Sequence, residues 1–433
     1  MDPFLLGGLG LAAMFVLIAA GVPIAFSTGI VGLAGLLAMR DVTAVAALVG
    51  GIPYHVAASY SFSVVPLFIA IGILSFHAGI TTGAFAAAKN WLGRVPGGLA
   101  TATLFASAGF AAVSGSSTAS TAIFTKLAIP EMEKAGYNRA LAAGVVAVGG
   151  TLAALIPPSA LLVIYGILVE ESIGQLLLAG IVPGIISLIV YAISIAVVSW
   201  RYPDWTPPLP KVSFRKKVAS LRGVWGIFVV VGVIVAGVYF GWTTPTESAA
   251  VAVAVVLIMA IAAGMSVGEF KDGLIDTIKT TAMIFTIIWS IHIFVRFLAF
   301  TGVTTEITDA VVGIDAPPIY IILAIVVLYL LLGMVLDGLG IIILTLPIIY
   351  PVVTALGYNP IWFGILVVKL IEIGLITPPI GLNCYVVNSV RQDIPLSEVF
   401  RGIMPFLIGE IVILAIILAF PDLVLFIPNS VGR

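Results

Sequence analysis

Glu372-Ile373-Gly374-Leu375-Ile376-Thr377-Pro378-Pro379-Ile380-Gly381 sits in an apolar run long enough to cross a bilayer, yet it cannot be helical throughout. Proline has no amide proton and its ring displaces the carbonyl one turn earlier, so two in succession end the helical ladder. Carbonyl oxygens near Gly374 and Thr377 then lose their helical partners, and hydrocarbon offers no others. A second stretch, Gly149-Gly150-Thr151-Leu152-Ala153-Ala154-Leu155-Ile156-Pro157-Pro158, carries the same break and frees carbonyls near Ala153 and Ile156. A desolvated Na+ suits such oxygens, because hard cations favour oxygen ligands.

The offset that carries Pro157-Pro158 onto Pro378-Pro379 also brings their surroundings into register. Pro130 and Gly136-Tyr137-Asn138 recur as Pro351 and Gly357-Tyr358-Asn359. At nearly the same spacing Pro23 recurs as Pro245, and Gly79, Thr81 and Thr82 recur as Gly302, Thr304 and Thr305. An ordered set spanning both halves marks an internal duplication. Ahead of each break lies an apolar stretch with a polar, glycine-bearing interruption. These are 97–130, with Ser114-Gly115-Ser116-Ser117, and 317–352, with Asp337-Gly338-Leu339-Gly340. Both read as hairpins that enter and leave on one side, and their tips add the Ser114, Ser116 and Ser117 hydroxyls and the Asp337 carboxylate.

The rest of the chain reads as bilayer-spanning. Of its 433 residues 61% are hydrophobic and 9% charged, against roughly 25% charged in soluble domains, so a water-soluble domain is excluded. Spans are expected near 4–20, 22–39, 62–79, 174–200, 224–241, 246–264, 280–300 and 402–420, with broken helices over 140–168 and 360–390. The start, Met1-Asp2-Pro3-Phe4, lacks the basic segment and cleavage site of a removable signal peptide, so the first stretch is expected to be retained. One cysteine, Cys384, allows neither an internal disulfide nor a multi-cysteine metal cage. A net charge of -1 and no basic, aromatic-rich block give no reason to expect nucleic acid.

Charge placement orients these spans. With the basic loop 201–223 cytoplasmic and both hairpins re-entrant, 15 Lys and Arg fall inside and two, Arg40 and Arg433, outside, as cytoplasmic loops require. Both termini are then periplasmic, the first hairpin lies at the cytoplasmic face and the second at the outer face. The expected fold is an all-α polytopic membrane protein built as an inverted repeat with two re-entrant hairpins and two broken helices. Its parts are a first repeat over 1–200, the loop 201–223 and a second repeat over 224–433. Such repeats characterise secondary transporters. Half-helix amino termini at the breaks would favour a substrate carboxylate between two cation sites. The plainer alternative, that Ser-Gly-Ser-Ser and Pro-Pro only permit packing and a kink, is disfavoured by four breaks in repeat-related positions.

Other polar residues carry less weight. A carboxylate deep in a membrane is costly unless functional, which favours an ion-linked role for Asp337. Glu247 in Thr-Thr-Pro-Thr-Glu-Ser either caps a helix or serves the site. Lys369 and Glu372 share a helical face and form a structural pair. Arg296 either attracts a carboxylate or snorkels to the interface. His55, His77 and His292 show no metal spacing, and no serine-histidine-acid set is apparent, so an enzyme is not expected.

Taken together, Ala112-Val113-Ser114-Gly115-Ser116-Ser117, Ile156-Pro157-Pro158-Ser159, Gly333-Met334-Val335-Leu336-Asp337 and Glu372 through Asn383 resemble the large membrane (M) subunit of tripartite ATP-independent periplasmic (TRAP) transporters. The resemblance covers essentially the whole chain. It implies Na+-driven uptake of an organic acid, such as sialic acid or a C4-dicarboxylate, across the inner membrane by an elevator movement. It also implies a soluble periplasmic substrate-binding (P) protein and a small four-helix membrane (Q) subunit, here a separate polypeptide. Carried onto this chain, one Na+ site involves Ser114, Ser116, Ala153, Ile156 and Pro158, and the other Asp337, Gly374, Thr377 and Pro379. Ala153 stands where the family commonly has glycine. Ser117, Thr151, Arg296 and Asn383 are the candidate substrate contacts. The competing expectation is a stand-alone Na+/carboxylate symporter of related architecture that needs no binding protein.

Overall fold

Helix starts in this chain are fixed by side-chain caps, and the caps recur in step with the sequence repeat. Asn138 Oδ1 accepts from the Leu141 amide at 3.1 Å, and Asn359 Oδ1 accepts from the Ile361 and Trp362 amides at 2.9 and 3.1 Å. In the computed structural model, which describes residues 2–431, helices account for nearly all regular structure and no strand occurs among the described residues. Arg433, counted among the outer charges, lies outside the described residues.

The first hairpin consists of helices Gly98–Ser114 and Ser117–Lys134, followed by a broken helix of Arg139–Thr151, a 3-10 turn Leu152–Ala154 and Ala160–Leu168. The second hairpin is Pro318–Gly333 and Gly338–Ala355, followed by Pro360–Ile376 and Leu382–Val390. Both Pro-Pro bonds, Pro157-Pro158 and Pro378-Pro379, are cis. A linker helix, Ile173–Arg201, follows the first broken helix, and a terminal helix, Leu396–Ala419, follows the second.

The first halves of the broken helices form the centre of the molecule. Every residue over 140–155 and over 361–376 is buried. Backbones approach closely there. A Cβ on Gly402 of the terminal helix would run into the Ala140 carbonyl oxygen, and one on Gly374 would lie 2.5 Å from the Gly333 backbone. At the periphery the pattern inverts. Ile185, Ile189, Ile193 and Val197 recur every fourth residue along the linker helix and are each at least 50% exposed. An apolar stripe of that length faces lipid rather than water. Among the described residues six helices are long and apolar enough to cross a membrane, and most hairpin arms and broken halves are shorter.

Some elements differ from hydropathy-based expectation. The span expected at 280–300 belongs to a 35-residue helix, Val267–Thr301, that begins at a capping box in which Ser266 and Glu269 bond each other's amides. Its first turns carry Lys271, Asp272, Asp276 and Lys279, which a hydropathy window rejects. The basic loop 201–223 contains a short helix, Phe214–Ser220, whose Lys217 carbonyl accepts from the Trp91 indole at 2.9 Å. Short helices Ile80–Leu92 and Val303–Val312 precede the two hairpins.

Candidate functional site

Four helices begin at one cavity of about 650 Å³. Ser117, Thr118 and Ala119 open the second arm of the first hairpin; Gly338 and Leu339 open that of the second. Ala160 and Leu161 start the second half of one broken helix, and Leu382 starts that of the other. Three helix carboxyl ends, at Ser114, Ala154 and Leu375, line the same space. Amino ends carry partial positive charge and attract anions, while carboxyl ends present carbonyl oxygens to cations. The opposite wall comes from helices Val64–His77 and Val267–Thr301 through Phe68, Gly72, Phe76, Asp276, Thr280 and Met283.

The tip of the first hairpin sits directly on the first break. Gly115 has φ 59°, and a Cβ there would lie 2.8 Å from the Pro158 carbonyl oxygen, so only glycine fits. Beside it the Ser114 hydroxyl is buried with no hydrogen-bond partner among the described residues. No backbone amide among the described residues donates to the carbonyls of Ala153, Ile156 or Pro158. The orphaned Ser114 hydroxyl and the free Pro158 carbonyl belong to residues that line the same cavity, and such oxygens suit a hard cation. Ser116 Oγ caps the next helix, accepting from the Ala119 amide at 3.4 Å.

The second break is more open. Pro378, Pro379 and Ile380 are exposed, whereas Pro157 and Pro158 are buried. Asp337 caps its helix by accepting from the Gly340 amide at 3.4 Å and is exposed to the cavity. The Gly374 carbonyl accepts from the Thr377 amide at 3.1 Å, and the Thr377 hydroxyl donates to the Ile373 carbonyl at 2.5 Å. The Pro379 carbonyl receives no backbone donor among the described residues.

Of the residues singled out in the sequence, the cavity lining brings together Ser114, Ser116, Ser117, Pro158 and Asp337. Ala153, Ile156, Gly374, Thr377 and Pro379 stand at the breaks without lining it. Three candidate substrate contacts lie elsewhere. Thr151 Oγ1 donates to the Val148 carbonyl at 2.8 Å. Asn383 is buried and donates to the Ala147 carbonyl at 3.1 Å, tying one broken helix to the other. Arg296 donates to the Leu48 carbonyl. Glu247 forms a capping box with Thr244. A second cavity, about 730 Å³ and bordered by Glu170, Glu171 and His292, touches neither break and none of these candidates.

A family model described as "Tripartite ATP-independent periplasmic transporter, DctM component" matches residues 11–423. The chain belongs to this family. The C4-dicarboxylate TRAP transporter large permease protein DctM of Pseudomonas aeruginosa is 35% identical over 86% of this chain and 87% of its own. The sialic acid TRAP transporter large permease protein SiaM of Vibrio cholerae is 32% identical over 95% of this chain and 96% of its own. The isethionate TRAP transporter permease protein DctMQ of Oleidesulfovibrio alaskensis is 31% identical over 96% of this chain and 65% of its own. The crystal structure of the Alcanivorax borkumensis YdaH transporter has a TM-score of 0.59 and covers 98% of each chain at 12% identity, a likeness of fold. This TRAP subunit is thus a multi-pass transporter component rather than an enzyme.

This TRAP subunit also holds an ion cluster of which the Lys369 and Glu372 spacing reveals only half. Lys369 Nζ lies 2.9 Å from Glu372 and 2.8 Å from Glu410, and donates to Ser187 at 3.2 Å. The Tyr191 hydroxyl donates to Glu410. All three charged groups are at most 1% exposed. Glu410, not singled out in the sequence, is a lone carboxylate within the apolar stretch 402–420, and that is the signal that could have found it.

Proposed function

We propose that this chain is the membrane carrier for Na+-coupled uptake of an organic acid delivered by a periplasmic binding protein. The observation that supports it is the convergence of four helix amino ends and three carboxyl ends on one cavity, which suits an anion beside cations without a single Lys or Arg among the described lining residues. Ser114, Ser116, Ala153, Ile156 and Pro158 would hold one Na+, and Asp337, Gly374, Thr377 and Pro379 another. Bound Na+ would neutralise the substrate carboxylate. The chain's own part is to fix the hairpin tips on the breaks, as Gly115 does on Pro158, and to keep water from the buried carbonyls.

The recurrence of a hairpin followed by a broken helix in each half of the chain supports an inverted repeat. In that arrangement the hairpins and broken helices move together against the wall of Val64–His77 and Val267–Thr301, in the elevator manner. Loop 201–223 is cytoplasmic and both termini are periplasmic. A small membrane subunit covers part of the exposed apolar surface. The names of the relatives point to carboxylates and a sulfonate as the acid class. The deciding experiment is uptake into liposomes on a Na+ gradient, with the small subunit present and the binding protein added or omitted. Uptake only with the binding protein supports the three-part reading; equal uptake when the binding protein is omitted overturns it.

A further inference from the structure

The cavity of about 650 Å³ has an unusual charge census for an acid site. Two carboxylates line it, Asp337 at the second hairpin tip and Asp276 on the opposite wall, and no Lys or Arg among the described residues does. His77, the one basic side chain among the described lining residues, lies 4.0 Å from Glu269. Positive potential is therefore confined to the helix amino ends at the tips. Away from them the wall is mostly hydrocarbon, Phe68, Phe76, Phe110, Met283 and Ile284, with His77, Asp276 and Thr280 as its polar side chains. Two Na+ at the tips would be balanced by Asp337 and one substrate carboxylate. A second carboxylate, at the far end of a substrate, would lose its hydration and meet phenyl rings or Asp276 with no further cation to pair it. Hydroxyls spread over a sugar acid would likewise go unsatisfied along the apolar wall.

We infer that the substrate is a monocarboxylate with an apolar body, and that Asp276 is a specificity-determining residue that rejects a second anionic group. This inference rests on the acid-carrier reading and narrows it. It sets the chain apart from relatives named for C4-dicarboxylates and sialic acid. Rejection by an unpaired like charge is an ordinary means of discrimination, and Asp276 costs little to keep because it is exposed in the cavity.

The test is equilibrium binding of radiolabelled phenylacetate, isovalerate, succinate and N-acetylneuraminate to the full chain in lipid nanodiscs, in sodium and in choline chloride. Phenylacetate and isovalerate should bind in a Na+-dependent way, about tenfold or more tighter than the other two. Asp276→Arg should move the preference toward succinate by about tenfold, and the milder Asp276→Asn should move it the same way by less. Succinate or N-acetylneuraminate binding as tightly as the apolar acids overturns this inference and leaves the carrier reading standing. Absence of Na+-dependent binding by all four acids overturns both.

Discussion

Ser116 and Asp337, at matching positions of the two halves, each cap the second arm of a hairpin and line the same cavity: Ser116 Oγ accepts from the Ala119 amide and Asp337 Oδ2 from the Gly340 amide, both at 3.4 Å. Equivalent places thus carry a hydroxyl and a carboxylate. Both satisfy an orphan helix amide. Only the carboxylate adds charge, so cation sites at the two tips would differ in electrostatics while sharing a backbone plan.

That difference separates capping from ion binding. Asp337→Asn keeps a good cap and removes the charge, so thermal stability should stay within about 0.5 kcal/mol of wild type. The Na+ concentration for half-maximal uptake should rise about tenfold, a loss of about 1.4 kcal/mol in cation affinity. Unchanged Na+ dependence, measured in proteoliposomes, would remove Asp337 from the ion site.

Gly333 and Gly374 bring the second hairpin against the second break. A Cβ on Gly374 would come 2.5 Å from the Gly333 backbone, which cannot yield as a flexible side chain would. Gly374→Ala should destabilise by about 1–3 kcal/mol and weaken Na+ activation as well. A variant that melts and responds to Na+ like wild type would show that this approach is not required.

Much of this was readable in advance because proline and glycine act locally. Pro157-Pro158, Pro378-Pro379 and the tip sequences break helices wherever they occur, and helices do end and begin at these positions. Asp276 escaped because the polar first turns of Val267–Thr301 lie below any hydropathy threshold. Thr151, Arg296 and Asn383 look like ligands in a linear sequence, yet each side chain donates to a backbone carbonyl. Which partner a polar group finds depends on helix packing, as with Glu410, whose partner Lys369 stands well before it in the chain and on another helix.

The Lys369 cluster predicts an asymmetry between its members. Lys369→Met strands Glu372 and Glu410 in a buried site and should cost about 3–5 kcal/mol. Replacing all three together, as Lys369→Met with Glu372→Gln and Glu410→Gln, should recover most of that loss. Thermal unfolding in detergent gives the comparison. A single variant as stable as wild type would mean that the cluster is hydrated rather than dry.

At the exposed junction of the broken helices, Arg391 and then Arg139 hold the Asp393 carboxyl at about 2, below its usual 3.8. Arg391 also pairs with Glu133 at 3.0 Å. A depressed folded-state value means that the contact stabilises at neutral pH and is lost as pH falls from about 4 towards 2. Asp393→Asn should therefore lower the melting temperature at neutral pH, with the difference from wild type shrinking below about pH 4. A difference that is constant with pH would assign the effect to packing instead.

Membrane orientation can be read with one reagent, because the sole native cysteine, Cys384, is buried. Lys216→Cys, in the short helix of the basic loop, should react with an impermeant maleimide only after the membrane is opened. Asp315→Cys, in the exposed turn before the second hairpin, should react in intact spheroplasts. Three expected spans, 224–241, 246–264 and 280–300, separate the two positions and place them on opposite faces. If either hairpin were a full crossing, the basic loops would divide between the faces against the usual charge bias. Labelling of Lys216→Cys from outside, or protection of Asp315→Cys, would reverse the inferred orientation and with it the assignment of the first hairpin to the cytoplasmic face.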